Sequence, residues 1–169
     1  KSRLKLDPDE KIVLYFGLIR PYKGVDRLID ATSYLVGKKT RVVIAGGCAE
    51  PLYGELKNRI AANVSRDQIL FLHGFVDNQD LSDYLAVADV VVFPYQHIYQ
   101  SGAVLLAMTY GKPVIVSDLD GFREYVHHGE TGWVVDTKDA DAFAASINAV
   151  LDNDKLSTRV GDAARNACE

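Results

Sequence analysis

Cysteine, tryptophan and methionine are scarce in this 169-residue sequence, which contains two cysteines, one tryptophan and one methionine. Because Cys48 and Cys168 lie far apart in the sequence, they form neither a disulfide framework nor a C-x-x-C metal motif. This cysteine usage is typical of proteins in a reducing compartment, so a cytoplasmic location is the default expectation.

Long apolar runs and an excess of positive charge are also absent. No stretch approaches the length of a membrane-spanning helix, and the first residues lack the apolar core of a signal peptide. The formal net charge is −4, whereas nucleic-acid-binding proteins usually carry a basic surface. We therefore expect no transmembrane segment in this chain and no nucleic-acid partner.

Short apolar runs that alternate with helix-like segments predict the fold. The runs are "KIVLYF", "RVVIAG", "ILFLHG", "DVVVFP", "KPVIVS" and "GWVVD". Runs this rich in Val, Ile and Leu are typical of strands that are buried on both faces of a parallel sheet. The pattern predicts a single α/β domain over residues 1–169: a doubly wound, Rossmann-like, mostly parallel six-stranded sheet flanked by helices.

Helical spacing of apolar residues follows four of the predicted strands. After the first strand this spacing runs from Val25 to Val36, and the almost wholly apolar segment 103–110 predicts a buried helix. Asp77, with Asp80 three residues later, resembles the start of a capped helix. In such sheets ligands bind beyond the carboxyl ends of the strands. The candidate loops are therefore 17–24, 46–51, 74–78, 94–102 and 117–122.

The loop 17–24 places two cations where a strand passes into a helix. Gly17 permits a sharp turn, and Gly24 lies near the start of the helix, whose free amides favour an anion. Arg20 can bind phosphate oxygens in bidentate fashion, and Lys23 supplies a point charge. The alternative is that both cations are solvated surface residues.

Two further loops carry residues that suit an anionic sugar ligand. Ser101 is a candidate N-cap, and Gly102 would let a ligand approach the first amides of its helix; the alternative is that Ser101 only caps a core helix. In "DLDGFREYV", Asp118 precedes the glycine turn and Glu124 is predicted in the first turn of the next helix, where it would favour the helix dipole. The two aspartates of "DLD" suit either turn chemistry or a divalent metal.

The order and spacing of these segments resemble a known family. "FGLIRPYKGVDRLIDA", "VVIAGG", "ILFLHGFVDNQDLSDYLAVADVVVFPY" and "GKPVIVSDLDGFREYVHHGETGWVV" are similar to the C-terminal domain of GT-B glycosyltransferases, especially the large retaining family 4. The resemblance covers nearly the whole chain and implies one half of a GT-B fold. It also implies that the acceptor-binding N-terminal domain lies outside this chain.

The resemblance implies roles for particular residues. Lys23 and Arg20 would be catalytic, because they would stabilise the departing diphosphate. The implied donor-binding residues are Gly17, Gly24, Gly46, Gly47, Phe75, Val76, Gln100, Ser101, Gly102, Ala103, Asp118 and Glu124. Phe75 as a core aromatic residue is an alternative to its implied place in a base-binding loop. The expected substrate is a nucleoside-diphosphate sugar, with no metal and no other cofactor.

Three positions depart from the family's pattern. The family's arginine usually follows the first glycine directly, where this chain has Leu18. Two glutamates, one near the donor sugar and one on the ribose hydroxyls, are replaced by Ile98 and Leu106, neither of which accepts a hydrogen bond. The nearest polar side chains in that loop are Gln96, His97 and Gln100.

These features leave three hypotheses for the function. The first is the donor half of a retaining glycosyltransferase that acts on a glycan or lipid-linked acceptor, in the cytoplasm or at the inner face of the membrane. The second is half of a nucleotide-sugar 2-epimerase-type isomerase, which shares the architecture. The third is a nucleotide-sugar-binding module without catalysis, which the loss of both glutamates favours.

Overall fold

Six strands form one sheet in the computed structural model, which describes residues 1, 6–37, 39–98 and 101–168. The strands are β1 (Lys11–Phe16), β2 (Thr40–Ala45), β3 (Ile69–Leu72), β4 (Val90–Phe93), β5 (Val114–Ser117) and β6 (Trp133–Val135). Their spatial order is β3-β2-β1-β4-β5-β6, and every pairing is parallel. The predicted fold class is confirmed, with all rather than most of the strands parallel.

Helices connect the strands and cover both faces of the sheet. They are α1 (Val25–Thr32), α2 (Leu52–Ala62), α3 (Asn78–Val87), α4 (Gly102–Thr109), α5 (Asp120–Arg123), α6 (Ala140–Leu151) and α7 (Asp154–Ala167). The strand order changes direction between β1 and β4. Because βαβ crossovers are right-handed, α1 and α2 lie on one face of the sheet and α3 and α4 on the other.

The core lies on both sides of the central strands. Residues 12–16 of β1 and all four residues of β4 are buried, as the continuous apolar runs predict for strands covered on both faces. The predicted cap of α3 is confirmed, since the Asp77 carboxylate accepts a hydrogen bond from the Asp80 amide at 2.7 Å. Within the described ranges, no helix combines the length and the apolarity needed to cross a bilayer.

Two predictions about the helices are wrong. α1 ends at Thr32, so Leu35 and Val36 lie in the turn that follows it. α4 is only half buried, because Val104 and the residues one turn later face the core while Leu105 and Leu106 are 44% and 37% exposed. An apolar segment without polar residues shows no periodicity, so the sequence does not reveal which face of α4 is exposed.

The sequence patterns also missed α7, and they placed α5, the short helix after the "DLD" segment, too late in the chain. α5 has only four residues, too few to show a helical repeat. α7 is capped by Asn153, whose side chain accepts a hydrogen bond from the Leu156 amide at 3.1 Å. Its buried residues, Ser157, Val160, Gly161 and Ala164, recur at helical spacing on one face, so the segment is amphipathic although three of these four residues are small.

Candidate functional site

The loops after β1, β2 and β3 pack closely at the carboxyl edge of the sheet. The Ile19 amide donates to the Gly47 carbonyl at 2.9 Å, and the Gly74 amide donates to the Gly46 carbonyl at 3.5 Å. A Cβ atom on Gly46 would lie 2.0 Å from the Gly17 carbonyl oxygen, so only glycine fits between these two loops. The paired glycines therefore fix the relative position of the loops.

These three loops enclose a cleft of about 600 Å³. The cleft brings together six of the predicted site residues: Gly17, Arg20, Gly46, Gly47, Phe75 and Val76. Phe75 is 95% exposed, so the alternative that it is a core aromatic residue is wrong. Together with the exposed Leu18, Phe75 gives the cleft an apolar rim, while backbone amides and Arg20 supply polar groups.

The loop after β1 also contacts the end of β4. It contains a 3-10 turn, Pro21–Lys23, followed by Gly24 in the left-handed conformation at φ +66°. A Cβ atom on Gly24 would lie 1.8 Å from the Pro94 carbonyl oxygen. The Gln96 amide donates to the Tyr22 carbonyl at 2.7 Å. These contacts bring Lys23 to the loop that precedes α4.

The Lys23 ammonium lies against aromatic rings. Its Nζ atom is 3.8 Å from the centroid of the Tyr95 ring and 5.3 Å from that of Tyr22. Burial lowers the pKa of Lys23, and within the described part of the chain the ammonium forms no ion pair with a carboxylate. Lys23 is therefore a partly desolvated cation that has no counter-ion among the described residues, whereas Arg20 is exposed at the cleft.

The N-terminus of α4 lies at the other end of the Tyr95 side chain. Ser101 occupies the N-cap position, as predicted, but its hydroxyl makes no capping hydrogen bond with the helix. Burial raises the pKa of Tyr95 to about 12, and the neighbouring Ser101 hydroxyl opposes that rise. Gly102 is exposed and Ala103 is half-buried, so this end of the helix is accessible to a ligand. Gln100 lies outside the described residues.

Removing the Lys23 charge should make the domain slightly more stable. Because the folded-state pKa lies below the value in the unfolded chain, the charged form of Lys23 costs stability at neutral pH, and this cost disappears as pH rises through the folded pKa towards 10.5. We expect Lys23→Met to raise the melting temperature at pH 7 by less than about 4 °C, since solvent screening and the loss of the attraction to the tyrosine rings limit the gain to below about 1 kcal/mol. Thermal unfolding of the parent and of Lys23→Met should show that the difference between their melting temperatures becomes smaller as the pH rises from 7 to 10.5. A variant less stable than the parent at pH 7 would contradict this account.

Asp118 and Glu124 lie away from the three-loop cleft. Asp118 is exposed and accepts a hydrogen bond from the Arg123 guanidinium at 2.7 Å. The placement of Glu124 in the first turn of a helix is wrong, because α5 begins at Asp120 and Glu124 follows its last residue. At that end the helix dipole does not favour a carboxylate. Glu124 instead borders a second cavity, of about 530 Å³, together with Gly102.

The two positions that lack the family's glutamates are apolar in structure as well as in sequence. Ile98 is half-buried, and its Cγ2 atom would be 2.9 Å from a Cβ atom on Gly121. Leu106 is partly exposed on α4. Nearby, the His97 ring stacks on Tyr22 at a centroid distance of 4.5 Å. In the described residues, no group of three or more His, Cys, Asp or Glu side chains has the arrangement of a metal site.

The sequence patterns missed the tyrosines that contact Lys23. Tyr95 follows "FP" at the end of β4, and Tyr22 lies inside "RPYKG"; an aromatic residue beside a loop cation is the available signal. His73 was also missed: it lines the cleft, stacks on Tyr53 at 4.0 Å, and its Nε2 atom lies 2.9 Å from the Cys48 carbonyl oxygen. Except for the contact between the adjacent residues Tyr22 and Lys23, each of these contacts joins residues at least 20 positions apart in the sequence.

Comparisons with known proteins agree with this architecture. The sequence profile of the family described as Glycosyl transferases group 1 matches residues 1–167. The chain is 30% identical over 165 residues to alpha-D-kanosaminyltransferase of Streptomyces kanamyceticus, covering 96% of this chain and 42% of that protein. It is 29% identical over 147 residues to GDP-mannose:glycolipid 4-beta-D-mannosyltransferase of Xanthomonas campestris pv. campestris, covering 87% and 41%.

A solved structure shows a similar fold. Sucrose-phosphate synthase from Thermosynechococcus elongatus superposes with a TM-score of 0.90 at 27% identity, over 99% of this chain and 42% of that one. The chain thus spans about two fifths of the length of these proteins.

Proposed function

Because the chain belongs to the Glycosyl transferases group 1 family, we propose that it is the donor-binding domain of a retaining glycosyltransferase. The donor would be a nucleoside-diphosphate sugar, and the acceptor a glycan or lipid-linked sugar bound by a second domain. GDP-mannose in the name of the Xanthomonas relative supports this class of donor.

One observation carries the proposal: Lys23, which pairs with no carboxylate among the described residues, and the N-terminus of α4, where Ser101 makes no capping hydrogen bond, both adjoin Tyr95. The Lys23 ammonium lies over the face of the Tyr95 ring, and the Ser101 side chain is close to the Tyr95 hydroxyl. An ammonium and free helix amides are both groups that bind phosphate oxygens. Their separation by a single side chain suits the two phosphates of one diphosphate.

This arrangement has a direct use in sugar transfer. When the bond between the anomeric carbon and the diphosphate breaks, the electron pair remains on the diphosphate, whose negative charge increases. A fixed ammonium and helix amides stabilise that developing charge without reorganisation. Arg20, exposed at the cleft, would contact the same group from the same loop. Closure of a second domain over the cleft would align the acceptor and exclude water.

Calorimetric titration with uridine, guanosine and adenosine diphosphates tests the assignment. At least one of the three should bind the chain, and Lys23→Ala should weaken that binding roughly 10- to 100-fold, as the loss of a charge-assisted hydrogen bond predicts. Arg20→Ala should also weaken binding, by a smaller factor, because the exposed guanidinium is better screened.

Lys57→Ala is the matched control. The Lys57 ammonium also lies over a tyrosine ring, at 4.6 Å from the centroid of Tyr53, but Lys57 lies on α2, whereas Lys23 lies in the loop after β1 beside Tyr95. We expect this variant to bind like the parent. Equal affinities for Lys23→Ala, Arg20→Ala and Lys57→Ala would refute the phosphate site.

The apolar residues Ile98 and Leu106 favour a second candidate, a binding module without catalysis. A carboxylate that binds a ribose diol strengthens nucleotide binding, and neither side chain can replace it. Both candidates predict the same effect of Lys23→Ala on binding. They differ in an assay of the two-domain protein, where only a glycosyltransferase moves labelled sugar from the donor to an acceptor, and an epimerase would instead return altered donor.

A further inference from the structure

Packing fixes the position of the Tyr95 ring. Tyr95 is almost completely buried, and its ring contacts those of Phe93 and Phe122 at centroid distances of 5.8 and 5.4 Å. The ring therefore presents one face to Lys23 at a defined place in the site. Its hydroxyl adjoins Ser101, so the same side chain relates the position of the ammonium to the start of α4.

Tyr22 provides a second ring for the ammonium. Its centroid lies 5.3 Å from Lys23 Nζ, and its ring meets that of Tyr95 at an interplanar angle of 82°. Tyr22 is itself stacked on His97, with an angle of 24° between the rings. The ammonium thus lies against two rings whose orientations are set by other aromatic neighbours.

We propose that Tyr95, assisted by Tyr22, is a positioning residue that holds the Lys23 ammonium where a bound diphosphate can reach it. This inference rests on the proposed function, since it concerns the same phosphate site. A carboxylate partner would also hold the ammonium, but it would neutralise the charge and compete with the phosphate. A ring face attracts the cation through its quadrupole and leaves N–H groups free to donate to an anion.

Holding the lysine in advance should increase affinity for the diphosphate. A free lysine side chain loses much of its rotamer freedom when it binds a ligand, and this loss weakens binding. Where the ring face restricts the side chain before binding, less entropy is lost when the phosphate arrives. Tyr95 and Tyr22 would therefore act on diphosphate affinity although neither has to contact the ligand.

Pyrophosphate is the probe for the test, because it contains the diphosphate without a base or a sugar. We expect Tyr95→Leu to weaken pyrophosphate binding roughly 3- to 30-fold, the range that corresponds to loss of a partly buried cation–π contact. Tyr95→Phe keeps the ring and should bind within about twofold of the parent. In a Lys23→Met background, Tyr95→Leu should cause no further loss, because the two residues act through one contact.

Nuclear magnetic resonance gives a readout that a merely structural role would not affect. The Lys23 side-chain methylene protons should be shifted upfield by the Tyr95 ring in the parent and in Tyr95→Phe, and this shift should disappear in Tyr95→Leu. If Tyr95→Leu does not fold, Tyr22→Leu serves in its place, and we expect it to weaken pyrophosphate binding about two- to fivefold. Absence of the upfield shift in the parent overturns the proposal.

The failures of the two proposals are distinguishable. If Lys23→Met binds pyrophosphate as tightly as the parent, the phosphate site itself is wrong, and the positioning role is refuted with it. If Lys23→Met weakens binding while Tyr95→Leu folds and binds like the parent, only the positioning role is overturned.

Discussion

Gly24→Ala should destabilise the domain by about 3 kcal/mol or more, because two effects add at this position. Gly24 has a φ of +66°, a left-handed conformation that costs alanine about 1–2 kcal/mol. In addition, the new methyl group would lie 1.8 Å from the Pro94 carbonyl oxygen, so the loop after β1 or the end of β4 must move. That movement would separate Lys23 from Tyr95, and diphosphate binding should fall with stability.

Gly129→Ala isolates the conformational part of this effect. Gly129 also has a positive φ, +78°, but a Cβ atom there would have nothing within 4 Å. Urea unfolding should show that Gly129→Ala lowers the free energy of unfolding by about 1–2 kcal/mol and that Gly24→Ala lowers it clearly more. Equal losses would mean that the close approach of Gly24 to Pro94 contributes nothing.

The strands could be predicted from the sequence because their signal is local and strong. Each of the six predicted runs overlaps an observed strand, and five contain the whole strand; β2 begins at Thr40, one residue before its run, and the boundaries of β1 agree at both ends. The helices were harder for identifiable reasons. α7 is amphipathic, but its buried face consists mostly of small residues such as Ser157 and Gly161, so its spacing is visible only when small residues are counted as buried. α4 is apolar all round, so its exposed face at Leu105 and Leu106 has no signal in the sequence.

The location of the site was predictable, and its internal contacts were not. Parallel strands place the loops that follow them at the same edge of the sheet, so the prediction that Gly17, Gly46 and Phe75 lie at one edge required only that the strands be parallel. The contact of Lys23 with Tyr95 depends instead on β1 and β4 being neighbours in the sheet. In the sequence, 73 residues lie between the end of β1 at Phe16 and the start of β4 at Val90.

Phe122→Ala should be the other strongly destabilising substitution, with a loss of about 3–5 kcal/mol. Phe122 is completely buried, and its ring lies 5.4 Å from that of Tyr95 and 6.3 Å from that of Tyr125. Truncation would leave a cavity beside Tyr95 and free the segment after β5 from the core. Urea unfolding measures the loss, and a change below about 1 kcal/mol would show that the surrounding rings collapse into the space.

Phe75→Ala is the matched control, since it removes the same atoms from a side chain that is 95% exposed. Its stability should stay within about 0.5 kcal/mol of the parent. If Phe75 contacts a nucleobase at the rim of the cleft, as the proposed function implies, this variant should bind nucleoside diphosphates roughly 5- to 100-fold more weakly, in line with the loss of base stacking. Its affinity for pyrophosphate should be unchanged, because the diphosphate contacts lie at Lys23 and α4. An equal loss of affinity for nucleoside diphosphates and for pyrophosphate would mean that Phe75 affects the structure of the loops and does not contact the base.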